Sequence, residues 1–170
     1  VIGCKTLKFL RYISQKIRDN EVHKKYFAVV HNKNIIRRNK LEREKFNLED
    51  FKIENYLTTL ENKVIVSENP VSRESKKSIT YFKHVNFNKL KKSKEILKLF
   101  GKNNKNILLL DVELITGRKH QIRAQLAHES LFIVGDKKYG IKDGSDRFFL
   151  CCYSISFDNY KFSISDKAFF

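Results

Sequence analysis

Three observations predict an α+β domain. Strand-like and helix-like stretches occur together, without the strict strand–helix alternation of a parallel α/β fold. Residues 107–114 form a near-continuous apolar run, as a strand central to its sheet requires. Residues 148–157 alternate instead: Cys151, Tyr153, Ile155 and Phe157 are expected on one side, and Cys152, Ser154 and Ser156 on the other. At 170 residues, 41% of them apolar, the chain is sized for one domain with a substantial core, read as spanning 1–170.

In chain order, Thr6 to Arg18 reads as a helix, because Leu10, Ile13 and Ile17 recur at helical spacing and basic residues fill the other faces. Asp19-Asn20 stops it. Lys25 to Val30 is β-branched and aromatic and reads as a strand. Residues 31–50 are highly polar and read as a surface insertion. Residues 51–66 fit two descriptions: Ile53, Leu57 and Leu60 have helical spacing, while Val64-Ile65-Val66 suits a strand. Asn69-Pro70 marks a turn, and Ser78 to Val85 reads as a strand. Lys91 to Phe100 reads as a short basic helix closed by a left-handed Gly101. After the 107–114 strand, Gly117 is expected to permit a tight turn. Arg118 to Ala127 reads as a second helix with Ile122 and Leu126 toward the core and His120 and Arg123 on another face.

The net charge of +16 is extreme for this length and favours a polyanionic partner, nucleic acid first. Part of it reflects a lysine-, asparagine- and isoleucine-rich composition with one proline. No apolar run approaches the roughly 18 residues of a membrane span, and no signal-peptide pattern opens the chain. Cys4, Cys151 and Cys152 have neither disulfide-framework nor metal-pair spacing, so they read as small apolar residues in a reducing cytoplasm. The chain starts at Val1 and holds no methionine, which reads as a fragment or a frame entered late.

The most informative stretch is Thr116-Gly117-Arg118-Lys119-His120-Gln121-Ile122-Arg123, followed by Gly135-Asp136 and Tyr139-Gly140. Core packing does not call for two arginines, a histidine and a glutamine at one strand-to-helix junction; a pocket for an anionic, flipped-out nucleotide does. Leu114 to Arg123 resembles the "TGR-x-HQIR" signature of the RluA-type RNA pseudouridine synthases. Val22 to Val30 resembles that family's "V-x-K-x-Y-x-A-x-V" strand, Lys76 to Tyr81 its "K-x-A-x-T" strand, residues 135–140 its "GD-x-x-YG" turn, and Arg147 to Phe157 its closing strand.

The resemblance implies the pseudouridine synthase catalytic-domain fold, a mixed but mainly antiparallel sheet with flanking helices. It implies an isomerase that flips uridine out of structured RNA (rRNA or tRNA), breaks the glycosidic bond, turns the uracil and joins its C5 to the sugar. Phosphate contacts would offset the flipping cost. No metal or organic cofactor is implied, and a cytoplasmic monomer is expected. Arg123 corresponds to the arginine that holds the catalytic carboxylate ionised, a bidentate task that suits a guanidinium. Tyr26 corresponds to the tyrosine lying against the uracil. Arg118, His120, Gln121, Lys24 and Lys76 are the expected RNA and nucleotide contacts, with Ile122 as apolar packing around the nucleotide pocket and Lys25 and Lys77 as further phosphate candidates. Asp136 is expected to cap a loop.

The sequence departs from the family in three places. The nucleophilic aspartate belongs to an "HRLD-x-x-TSG" segment that should lie about eight residues before Val1, and Asp19, Asp111 and Asp136 all fall at other family positions. The chain alone is therefore expected to be inactive. Residues 31–50 and Ser130-Leu131-Phe132 are the other departures. Two rival readings follow: a non-catalytic RNA-binding remnant of the family, and an unrelated basic ribosome-associated protein.

Overall fold

The computed structural model describes residues 2–32, 50–86 and 107–164. The expected helix over 91–100 with its Gly101 cap, and nearly all of the 31–50 insertion, lie outside the described residues. Chain order is α1 (Leu7–Arg18), β1 (His23–Asn32), β2 (Phe51–Leu60), β3 (Lys63–Ser67), β4 (Lys76–Val85), β5 (Ile107–Leu114), α2 (Gln121–His128), β6 (Leu131–Ile133), β7 (Leu150–Phe157) and β8 (Tyr160–Ser163). The strands form one sheet in the order β3-β2-β4-β5-β1-β7-β8. Every described pairing is antiparallel. β1 offers one edge to β5 and divides the other: β7 takes His23–Ala28 and β6 takes Val30–Asn32.

The α+β expectation holds, and β5 is central as its apolar run requires, lying between β4 and β1. Alternation along β1 builds two cores. Ala28 and Val30 face α2 and pack with Phe82, Leu110, Val112, Ile122, Leu126, Leu131 and Ile133. Val29, on the opposite face, packs with Ile107, Leu109, Val134 and Phe149.

The helical option for 51–66 fails, since those residues form the β2–β3 hairpin, with Ile53, Asn55 and Leu57 buried at a period of two. α1 begins one residue after the predicted start. Thr6 caps it by accepting from the Phe9 N–H at 3.2 Å. Only Ile13 of its apolar stripe is buried, whereas Leu10 and Ile17 are exposed.

Two further expectations are corrected. α2 starts at Gln121 rather than Arg118, and the turn before it, which includes Gly117, takes its left-handed residue at His120, at φ 53. The even alternation of the last long strand is broken by a bulge. The β1–β7 register shifts between Lys25 and Tyr26, so Tyr153 pairs with no β1 residue. Cys151 therefore packs with Val29 and Phe149, while Ile155 and Phe157 pack with Ile13 and Val22.

Candidate active site

α2 is fastened to the sheet by side-chain amides. Gln121 is 2% exposed and Gln125 fully buried. Gln121 accepts from the Thr116 hydroxyl and the Arg118 N–H, both at 2.9 Å, and donates to the Ile79 carbonyl at 3.1 Å and the Thr80 hydroxyl at 2.8 Å. That uses both donors and both acceptor lone pairs of the amide. Gln121 is therefore not an RNA contact here: it fixes the turn that carries Arg118. Ile122 is 4% exposed and belongs to the main core, on the core side where its spacing put it.

Arg123 lies in the first turn of α2. Its Nε and Nη2 donate to the two carboxylate oxygens of Asp136 at 2.8 and 2.7 Å. The rings of Tyr139 and Phe148 lie 5.0 and 5.2 Å from the guanidinium carbon. Asp136 is 2% exposed and also accepts from the Lys138 and Tyr139 N–H groups. Burial works against its ionisation, but Arg123 and those two amides outweigh it and hold the carboxyl below the usual aspartate range. Asp136 thus caps its loop, as expected, and is also the partner of Arg123, which sequence reasoning missed. Tyr139, three residues after Asp136 in the turn motif, was the available signal.

Two glycines make this turn possible. At Gly135 (φ +74) an added Cβ would lie 1.9 Å from the Arg147 carbonyl oxygen, and at Gly140 one would lie 2.4 Å from the Asp136 carbonyl oxygen. Asp143 braces the loop, accepting from the Gly135 N–H and bonding His31 Nε2, each at 2.8 Å.

His120 Nδ1 lies 3.0 Å from the Tyr139 hydroxyl, which also accepts from the Val64 N–H at 3.0 Å. Burial first, then Arg123, Lys138 and Lys119, push the His120 imidazole below its ordinary value. It is therefore neutral at pH 7, and Nδ1 can accept the phenolic proton. His120 and Arg123 are joined through one tyrosine, although His120 precedes α2 in a left-handed conformation and does not share a helix face with Arg123.

Tyr26 lies on the α2 face of β1 and packs against the Ile122-containing core. Burial, then the Cys152 thiol opposite it, push its phenol up to about 12, so it stays protonated at neutral pH. Lys24, on the same face, extends to the turn: its Nζ lies 3.9 Å from where a Gly117 Cβ would be. An open cavity of about 500 Å³ lies beside Arg123, lined also by Asp136, Lys137, Lys138, Asp146 and Phe148; Tyr26 is not among its walls. Arg118 and Lys76 meet in a different concavity. Lys25 and Lys77 are ion-paired, to Glu113 at 3.0 Å and Glu54 at 2.5 Å.

The fold is that of pseudouridine synthase domains. The solved structures Human RNA Pseudouridylate Synthase Domain Containing 1 and Domain Containing 4 superpose with TM-scores of 0.63 and 0.62, at 14% and 13% identity, over 94% of this chain and 60% and 64% of theirs. The family profile described as RNA pseudouridylate synthase matches residues 1–128, which include Tyr26 and the whole 116–123 run. The chain is also 32% identical over 144 residues to "Ribosomal large subunit pseudouridine synthase C" of Buchnera aphidicola subsp. Baizongia pistaciae (strain Bp). That alignment covers 84% of this chain and 36% of the relative, so the chain spans about a third of that protein's length. The chain belongs to the RNA pseudouridylate synthase family.

Proposed function

We propose that residues 1–170 are the larger, C-terminal part of the catalytic domain of an RNA pseudouridine synthase that isomerises uridine in structured RNA, rRNA or tRNA, as a cytoplasmic monomer. The observation that carries this reading is the mounting of Arg123. Asp136 takes its Nε and one Nη2 hydrogen, and two rings flank its plane. The remaining N–H groups stay available to a second carboxylate at the cavity mouth. In this reading they hold the nucleophilic aspartate ionised, while Tyr26, protonated and half-buried, lies against the uracil. Arg118, Lys24 and Lys76 contact RNA phosphate, and His120, neutral, sets the Tyr139 ring under Arg123.

Asp136 is not the nucleophile. It is 2% exposed, its Oδ1 already accepts three hydrogen bonds and its Oδ2 one from Arg123, and it lies outside the family's nucleophile motif. No other aspartate of these residues occupies the motif position, and the chain by itself is expected to give no turnover. Tritium release from RNA labelled at uridine C5 is the test. None is expected from this chain, release is expected once it is joined to an aspartate-bearing upstream segment, and loss is expected again on Arg123→Ala in that longer protein. No release from the longer protein would sink the synthase reading, and full turnover by the arginine variant would sink the role of Arg123. The second reading, an RNA-binding family member without turnover, is favoured by one observation: the carboxylate that Arg123 holds in this structure is itself unable to react.

A further inference from the structure

The described basic side chains include ion-paired ones and a larger number without an ion pair, and four of the latter share one concavity. Lys16, Lys25, Lys52, Lys77, Lys83 and Arg123 each lie against a carboxylate. Arg73, Lys76, Arg118 and Lys119 do not: among the described residues none of them has an acidic side chain within ion-pair distance, although Arg118 Nε donates to the Lys77 carbonyl at 3.3 Å. These four line one concavity of about 560 Å³, which holds a single carboxylate residue, Glu74, on its walls.

They reach it from separate parts of the chain: the loop after β3, the start of β4, and the β5–α2 turn. Like charges gathered in a concave wall repel one another, and an anion seated there relieves that repulsion.

Both loops that form the site are held in place. The Ser75 hydroxyl bonds the buried Thr58 hydroxyl at 2.8 Å and accepts from the Val71 and Ser72 N–H groups at 3.0 Å, which fixes the loop carrying Arg73. Gln121 accepts from the Arg118 N–H at 2.9 Å, and the Thr116 hydroxyl accepts from the Ile79 N–H at 2.9 Å, which fixes the other. The ordering cost of binding is therefore largely met before the ligand arrives.

We propose that this concavity is a phosphodiester-binding groove that seats RNA backbone outside the Arg123 cavity, with Arg73 and Lys119 as contacts alongside Arg118 and Lys76. A flexible polyanion fits the site better than one small anion, because four cations from three separate parts of the chain share a concavity of about 560 Å³, more room than one phosphate fills. The proposal deepens the synthase reading and rests on it for the identity of the partner.

The test is titration of the chain with a fluorescent RNA hairpin that contains no uridine, so that binding is read without isomerisation. Arg73→Ala, Lys76→Ala, Arg118→Ala and Lys119→Ala are each expected to weaken binding about three- to tenfold and to lower the slope of log affinity against log salt by about 1. Lys52→Ala and Lys83→Ala remove the same formal charge from ion-paired positions and are expected to stay within about twofold. Arg118→Lys keeps the charge and separates phosphate attraction from any disturbance of the turn. Equal losses in the groove and control variants would mean net charge alone and overturn the groove, as would wild-type binding by all four. Displacement of the hairpin by inorganic phosphate, well beyond chloride at equal ionic strength, would make this a small-anion site and overturn the RNA assignment. Intact hairpin binding with no pseudouridine from the longer protein would count against the synthase reading alone.

Discussion

The two described helices are held to the same sheet in different ways. α1 is strongly amphipathic, yet buries Ile13 alone and leaves Leu7, Leu10 and Ile17 exposed. α2 has little amphipathic character, yet buries Gln121, Ile122, Ala124, Gln125 and Leu126. Beside the apolar packing of Ile122 and Leu126, α2 is seated by a buried polar seam: Thr80 donates to Gln125 at 2.6 Å, and Gln125 donates to Asn55 at 2.9 Å and Ser78 at 3.2 Å. Hydrogen bonds fix a helix in rotation and height more narrowly than apolar contact does, because each has a direction. The helix that must aim Arg123 is held by buried bonds of this kind, whereas the polar ties of α1, from Tyr12 and Lys16 to Asp158 at the β7–β8 turn, lie at the surface.

The largest expected effect that would break this contrast is Asp136→Ala. It strips Arg123, Lys138 N–H and Tyr139 N–H of one shared acceptor, and should destabilise by about 3–5 kcal/mol in denaturant melts. A loss under about 1 kcal/mol would mean that α2 does not depend on the pair. Gln125→Leu should follow at roughly 2–3 kcal/mol, since Thr80, Asn55 and Ser78 lose their partner in a dry site. Ile13→Ala on α1 should cost about 2 kcal/mol. Leu10→Ala, on the same helix, should stay within about 0.5 kcal/mol, and a larger figure would show that the exposed stripe is covered in solution.

Acid sharpens the comparison. The Asp136 carboxyl is depressed in the folded state, so the stability it contributes is present above the unfolded aspartate value of about 3.9 and is lost as the pH falls through the lower folded value. Hydrogen exchange should show the α2 N-terminal turn opening over that window, and Asp136→Asn should remove that acid-dependent step.

The legible parts of the molecule were those set by periodicity. β5, β1 and β4 could be placed because apolar or β-branched runs have one economical use in a sheet, and α1 because its stripe and its Asp19-Asn20 stop agree. The 51–66 hairpin was ambiguous because Ile53, Leu57 and Leu60 satisfy a helical period while the buried Asn55 and Thr58 hide the strand period. The functional run was legible as a motif, but its division of labour was not. Whether a glutamine reaches outward or inward depends on what β4 places opposite it, and Thr80 and the Ile79 carbonyl lie some forty residues earlier. The proposed Arg73 contact was invisible for the same reason, since it joins segments that only the sheet brings together, whereas the Arg123–Asp136 pair had a signal in the 135–140 turn motif that was read only as a loop cap.

The bulge at Tyr153 bears on how this family member can change length. Cys152 faces Tyr26 and Ile155 faces α1 only because one residue of β7 is left out of the ladder. Tyr153 stacks on Phe27 at 4.2 Å and donates to Asp111 at 2.9 Å, and its carbonyl accepts from the Ile164 N–H at 2.9 Å, so it has contacts but no rung on β1. A chain lacking Tyr153 would run straight, with every other β7 side chain on its present face. A codon-length deletion there is topologically silent. An insertion one residue away would turn Ser154 and Ser156 toward α1 and detach the helix.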